Sequence, residues 1–285
     1  MHPRDYNPAA RMLPLRITED AMASILNNVS ALGASRQLGV TNLGLNKTIE
    51  RLTTGKRINR ASDDAAGLAI SNQLGADVRI ASQARRNAND GISYLQTADG
   101  VLDEVTNLLT RAAELAEQAK SGTSGADSGT GKTALNAEYQ KILSTITDLS
   151  SNTKFNGSAV FGSSLTVSVA SFSSVAVAVG AITNATGTID TAANAGTAAT
   201  SITTALTAVS TLRGTLGAGQ QQLQSVSNSL GIQVENFTAA FSQIRDANVA
   251  DEVVNLSKFQ ILNQSGISAL GQANTSSQSI LALLR

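Results

Sequence analysis

Between Asp246 and Arg285, apolar and small polar residues recur in steps of three and four: Val249, Val253, Leu256, Gln260, Asn263, Ile267, Leu270, Asn274, Ser277, Leu281 and Leu284. The spacing predicts one amphipathic helix running to the last residue. Its large apolar positions are few. A buried Leu or Ile contributes roughly 1.5–3 kcal/mol, while ordering each backbone residue costs about 1–2 kcal/mol, so this helix needs a partner. A second helical pattern, from Ala23 to Thr54, runs through Ile25, Val29 and Leu32 and then Leu38, Leu45, Ile49 and Leu52. The change of phase between Gly33 and Gly39 predicts a break or bend.

The polar connector Gly55–Gly67, GKRINRASDDAAG, follows, with Ser62 or Asp63 expected to cap the next helix. That helix carries Leu74, Val78, Ala81, Arg85, Ala88, Ile92, Leu95, Asp99, Leu102, Thr106 and Leu109 and extends to Lys120, about 55 residues and far above the globular average. After a Gly/Ser/Thr loop, Ser121–Thr133, a shorter helix presents Leu135, Tyr139, Ile142, Ile146 and Leu149. Asn156-Gly157 signals a turn. The period then becomes two, through Leu165, Val167 and Val169 and then Val175, Val177 and Val179, which predicts a β-hairpin about Ser-Phe-Ser-Ser. Ala181–Thr200 reads as a low-complexity surface loop, and the longest seam, Ile202 to Ile244, leads into the terminal helix.

The fold class expected is mostly α: a long coiled-coil-like helical hairpin or bundle with paired terminal helices and a small central β-hairpin. Residues 23–54 and 249–285 would form the paired terminal helices, 55–67 the connector, 68–162 and 202–248 a helical rod, and 163–201 the hairpin and a short variable loop. All three prolines, Pro3, Pro8 and Pro14, and the single His2 fall near the start. That break marks residues 1–22 as an unstructured or non-native extension.

Composition narrows the function. A formal net charge of zero gives no electrostatic case for nucleic acid or an anionic membrane. Aromatics are 3% and Trp is absent, which leaves the small aliphatics of helix seams. Cys is absent, so disulfide and thiolate chemistry are excluded. No run approaches the roughly 20 apolar residues of a bilayer span. Residues 126–133, ADSGTGKT, resemble a relaxed phosphate loop, but a working one follows a buried strand; a flexible connector is the preferred reading. Asp63 and Asp64, beside Arg57 and Arg60, read as a salt-bridged connector, and Asp99, Asp103 and Glu104 as ordinary helix charges. Seam positions Arg85, Gln220, Asn263 and Asn274 allow two readings, as buried polar residues that set register or as partly exposed positions. No catalytic, cofactor or metal residue is assigned, and the chain is expected not to be an enzyme. Two terminal helices projecting as a pair leave apolar surface uncovered; neighbouring copies packed by contacts that do not close would cover it and make a helical filament.

Leu45–Ser71, LNKTIERLTTGKRINRASDDAAGLAIS, followed by Arg86–Ser93, RNANDGIS, resembles the N-terminal region of bacterial flagellin, and the run DEVVNLSKFQILNQSGISALGQANTSSQSILALLR is similar to its C-terminal region. The likeness covers Ala23–Gly162 and Ile202–Arg285. It implies an extracellular flagellar filament subunit, exported unfolded by a type III apparatus, with terminal helices lining an inner tube and the rod forming an outer one. Self-assembly would rest on Ile25, Val29, Leu32, Leu45, Ile49, Leu52, Val253, Leu256, Ile267, Leu270, Leu281 and Leu284. The short middle lacks room for large outer domains. Implied partners are further copies of the chain, an export chaperone, the filament cap, hook-filament junction proteins and a vertebrate Toll-like receptor, with no nucleic acid and no membrane. The receptor patch would match Arg111, Leu115 and Glu138; Ala113 stands where a second basic residue is frequent. The alternatives are a hook-filament junction protein, which shares the terminal regions, and a chemoreceptor signalling hairpin, which would need a single symmetric tip.

Overall fold

The structure, a computed structural model, describes residues 28–121, 129–169 and 174–283. Its elements are α1 (Val29–Thr54), α2 (Ala65–Lys120), α3 (Thr130–Asn152), β1 (Lys154–Phe155), β2 (Ser158–Ala159), β3 (Ser163–Ser168), β4 (Ser174–Val179), α4 (Ala192–Arg245) and α5 (Val249–Leu283). They fall into two compact units, one made of residues up to Asn59 together with those from Asp246 on, the other of Arg60–Arg245. The fold is mostly helical, with two small antiparallel hairpins. The extension at residues 1–22, and most of the loop expected at Ser121–Thr133, lie outside the described residues.

In the first unit α1 and α5 run antiparallel. Asn28 Nδ2 donates to the Ala273 carbonyl at 3.0 Å, the Asn263 amide donates to Asn42 Oδ1, and Arg51 Nη1 reaches Glu252 Oε1 at 3.1 Å. Beyond the helix ends the backbones of Lys56 and Asp246 pair antiparallel, and the Ala247 N–H donates to the Gly55 carbonyl at 2.9 Å. Gly55 closes α1 at φ 69°, a left-handed conformation that glycine adopts without steric penalty. The face of α1 that α5 covers is Ala31, Ala34, Leu38, Thr41, Leu45, Thr48 and Leu52, an unbroken heptad. The break expected between Gly33 and Gly39 is therefore absent. The apparent phase change came from counting Val29 and Leu32 as seam members, and both are exposed.

The second unit is built on α2 and α4, 56 and 54 residues long and antiparallel. Asp64, not Ser62 or Asp63, caps α2, its carboxylate accepting from the Gly67 N–H at 2.8 Å; Asp63 instead accepts from the Arg60 N–H at 3.2 Å. The core includes Leu95, Leu102, Leu109, Tyr139, Ile146, Leu216, Leu223 and Leu230, with alanines 81, 84, 88, 98, 112, 116 and 119 of α2 between them. Small residues at those positions let neighbouring backbones approach closely, which is how a chain so poor in aromatics fills its interior.

β3 pairs with β4 from Ser163↔Val179 to Ser168↔Ser174 and buries Val167, Val175, Val177 and Val179 on one face. The hairpin lies on the helices at two glycines, where an added Cβ would come within 2.7 Å of Val167 at Gly91 and 2.6 Å of Val177 at Gly219. The stretch Ala181–Thr200 is not a surface loop. Ile182, Ala185 and Ile189 are buried, and α4 begins at Ala192, where the Thr191 hydroxyl accepts from the Asn194 N–H at 3.2 Å. Alternation of Ala, Thr, Gly and Asn hid both a core segment and a helix start. β1 and β2, joined by Asn156-Gly157, form a second ribbon not foreseen as strands.

Candidate assembly surface

The seam between α1 and α5 is made largely of small and polar side chains. On α5 it comprises Glu252, Leu256, Phe259, Asn263, Gly266, Leu270, Ala273 and Ser277. Two glycines bring the helices close: an added Cβ would stand 2.6 Å from the Phe259 ring at Gly44 and 3.2 Å from Leu38 at Gly266. With many seam positions occupied by Gly, Ala, Thr, Asn and Ser, only Leu38, Leu45, Leu52, Leu256 and Leu270 among the described larger aliphatic residues turn inward, and the others point elsewhere. Val29, Leu32, Val40, Leu43 and Ile49 of α1, and Val249, Val253, Val254, Ile261, Leu262 and Ile267 of α5, are exposed. Of the fourteen exposed large hydrophobics among the described residues, these two helices carry eleven, and Leu43 is 72% exposed.

On α1, Val29, Leu32 and Leu43 stand two positions before the seam residues Ala31, Ala34 and Leu45, roughly 160° around the helix, and Val40 falls on the same open side. The helix therefore has two apolar stripes on nearly opposite faces, and α5 covers only one. A covered stripe and an open one cannot be told apart by period.

The expected assembly residues divide accordingly. Leu45, Leu52, Leu256 and Leu270 are half-buried in the seam within the chain. Val29 and Leu32 lie on the open stripe and are exposed; Ile49, Val253 and Ile267 are exposed beside the seam. Ile25, Leu284 and the side chain of Leu281 lie outside the described residues. Sequence reading missed Val40, Leu43, Val254, Ile261 and Leu262; the second stripe was the signal for the α1 pair. Of the polar seam positions, Asn263 is half-buried and bonded across the seam, Gln220 is half-buried, and Arg85 and Asn274 are exposed.

In the second unit, Arg111 Nη2 lies 2.9 Å from Glu138 Oε1 and its Nη1 3.0 Å from Glu114 Oε2. These hydrogen bonds, that to Glu138 foremost, raise the guanidinium pKa. Leu115, expected beside them in a receptor patch, is 1% exposed and belongs to the core; its place on α2 turns it inward while Arg111 and Glu138 stay outside. Asp99 and Asp103 are more than ordinary helix charges. Both accept from Arg213 of α4 at 2.9 Å, tying the two long helices and raising the Arg213 pKa, Asp99 contributing most. Residues 126–133 are preceded by α2 rather than a strand, which removes the setting a phosphate loop needs. No described helix is long and apolar enough to cross a membrane, and no metal-ligating cluster occurs among the described residues.

Residues 25–166 match the bacterial flagellin N-terminal helical region and residues 199–284 the bacterial flagellin C-terminal helical region. The chain belongs to the bacterial flagellin family. It is 35% identical to the flagellin FlaB1 of Treponema pallidum, over 92% of this chain and 99% of that one. It is 37% identical to the flagellin of Halalkalibacterium halodurans with the same coverage. A crystal structure of Bacillus cereus flagellin, 28% identical, covers 55% of this chain and 94% of that one at a TM-score of 0.47, too loose a likeness to support a statement about the fold. As a flagellin, the chain is a structural subunit of the extracellular bacterial flagellar filament, made by self-polymerisation, and not an enzyme.

Proposed function

We propose that flagellin subunits of this kind join chiefly through the outward faces of α1 and α5. The observation that carries this is the partial inversion in the first unit: a seam rich in small and polar residues, with a few leucines, meets inside the pair while Val29, Leu32, Val40, Leu43, Val254 and Ile261 face outward. Covering a Leu or Val contributes roughly 1.5–3 kcal/mol, and repeating one such contact with a rotation that does not close extends it into a filament. Ile25, Val29, Leu32, Ile49, Val253, Ile267, Leu281 and Leu284 then serve contacts between subunits, and Leu45, Leu52, Leu256 and Leu270 hold α1 to α5. In this reading the terminal helices, 23–54 and 249–285, line the inner tube, and 68–162 with 202–248 form the outer one. Before assembly an export chaperone shields the same outward stripe. The filament cap and the junction proteins meet it at the two ends of the polymer. Recognition by a vertebrate Toll-like receptor would use Arg111 and Glu138, with Leu115 acting only as their support from the core.

Leu43→Asp tests the reading, because the side chain is exposed and the charge need not disturb the fold of the monomer. Sedimentation of purified protein after salt-induced assembly should leave Leu43→Asp in the supernatant with an unchanged monomer circular dichroism spectrum. Pelleting as efficient as that of the unmodified chain would remove the outward stripe from assembly.

A further inference from the structure

The sequence contains a single Asn-Gly pair, Asn156-Gly157, and the fold places it at the tip of the two-residue turn between β1 and β2. Both residues have positive φ, 48° and 83°, as a type I′ hairpin turn requires. Both are exposed, and a Cβ added at Gly157 would meet nothing within 4 Å, so solvent reaches the peptide between them. The ribbon behind the turn has only two residue pairs, Lys154↔Ala159 and Phe155↔Ser158.

We propose that Asn156 is a site of spontaneous, age-dependent deamidation that yields aspartate and isoaspartate. The Gly157 backbone nitrogen, deprotonated by hydroxide, attacks Cγ of Asn156. The new N–Cγ bond closes a five-membered imide, the Cγ–Nδ2 bond breaks, and the nitrogen leaves as ammonia with a proton taken from water. Water then opens the imide. Addition at Cγ restores the ordinary backbone with an aspartate; addition at the backbone carbonyl carbon leaves the chain running through the side chain as isoaspartate. Overall, ammonia is exchanged for water and the chain gains one carboxylate.

Glycine at the following position leaves the attacking nitrogen uncrowded. Closing the imide needs freedom about the Asn156 backbone that a hydrogen-bonded turn restricts, so reaction proceeds from an opened turn, and a ribbon of two pairs costs little to open. The chain supplies its own controls in Asp90-Gly91 and Asp99-Gly100, which can close the same imide. Both lie inside α2, where the glycine N–H is held by helical hydrogen bonding and must await helix opening. Isoaspartate inserts a methylene into the backbone of a two-residue turn, which cannot then keep Phe155 opposite Ser158. Phe155 stands edge-on to Tyr94, with centroids 5.5 Å apart, and the Tyr94 hydroxyl donates to the Val160 carbonyl at 2.8 Å. Conversion to isoaspartate therefore loosens this corner, whereas conversion to aspartate leaves it closed.

The full chain, incubated in ¹⁸O-water at mildly acidic and mildly alkaline pH, is digested and sequenced by mass spectrometry. Asn156 should incorporate ¹⁸O at least about tenfold faster than any helical asparagine, because those need helix opening and none is followed by glycine, and faster at the alkaline pH; Asp90 and Asp99, whose carboxylates close the imide only when protonated, should stay slow at both. Isoelectric focusing should show a species with one negative charge more than the starting chain. Isoaspartyl methyltransferase should label that species but not freshly purified Asn156→Asp, which carries the same charge. The proposal is overturned if Asn156 stays intact after a synthetic Lys154–Val160 peptide has converted, or if Asp90 and Asp99 convert as fast as Asn156.

Discussion

The two units use the same few residue types in opposite ways. In the second, Leu95, Leu102, Leu109, Leu216 and Leu223 are wholly buried, and charged pairs such as Arg111–Glu138 lie outside. In the first, α1 and α5 meet over Ala, Thr, Gly, Asn and a few half-buried leucines, and Val40, Leu43, Val254 and Ile261 face solvent. A unit with its large aliphatics inside is stabilised by its own burial. If the outward faces are the assembly surface proposed above, a unit with them outside is stabilised fully only when other copies cover it, which would couple its order to polymerisation.

The widest separation of the two units should come from removing Gly271–Arg285. Polymerisation should be lost altogether, while the thermal transition of the second unit, followed by circular dichroism, stays where it was. Normal filaments from the shortened chain would mean that the terminal pair is not the assembly element. A matched pair of leucines sharpens the contrast. Leu102→Ala, at a fully buried position, should destabilise the monomer by about 2–5 kcal/mol. Leu43→Ala, at an exposed one, should change monomer stability by less than about 0.5 kcal/mol yet raise the protein concentration at which filaments form. Equal effects on monomer melting would erase the distinction drawn between inside and outside.

The smallest effect concerns Tyr139, buried in the second unit with a hydroxyl that lacks a hydrogen-bond partner among the described residues. Burial pushes its pKa above the ordinary value. The folded state thus holds this proton more tightly than the unfolded one; the contribution is complete below the unfolded pKa of about 10 and lost as pH rises through the folded value. Tyr139→Phe should leave neutral-pH stability nearly unchanged and reduce the loss of stability in alkaline titration, as read by thermal melts across that range. An undiminished alkaline loss in the phenylalanine variant would assign it to other groups.

Much of the fold is legible in single stretches of sequence. The heptads of α2, α3 and α4, the alternating valines of β3 and β4, and the Asn156-Gly157 turn each rest on local period and local backbone preference. Individual partners were less legible. Asp64 rather than Ser62 or Asp63 caps α2 because only the completed first turn presents the Gly67 N–H to it. Asp99 and Asp103 look like solvated helix charges until α4 brings Arg213 to them from 114 and 110 residues away. Ile182 and Ile189 sit in a segment without period, so their burial depends on what α3, α4 and the hairpin leave open.

Sequence alone thus determined that most of the chain forms amphipathic or small-residue helices, several of them long, that the terminal ones need partners, and that nothing in the composition points to catalysis. Only the tertiary structure decided which stripe of α1 is spent on α5 and which stays open. Both stripes repeat with one period, and period is all that a single helix encodes about direction. The choice depends on complementary surface: Phe259 seats at Gly44 and Leu38 at Gly266, which selects the small-residue faces for each other and turns the large ones outward.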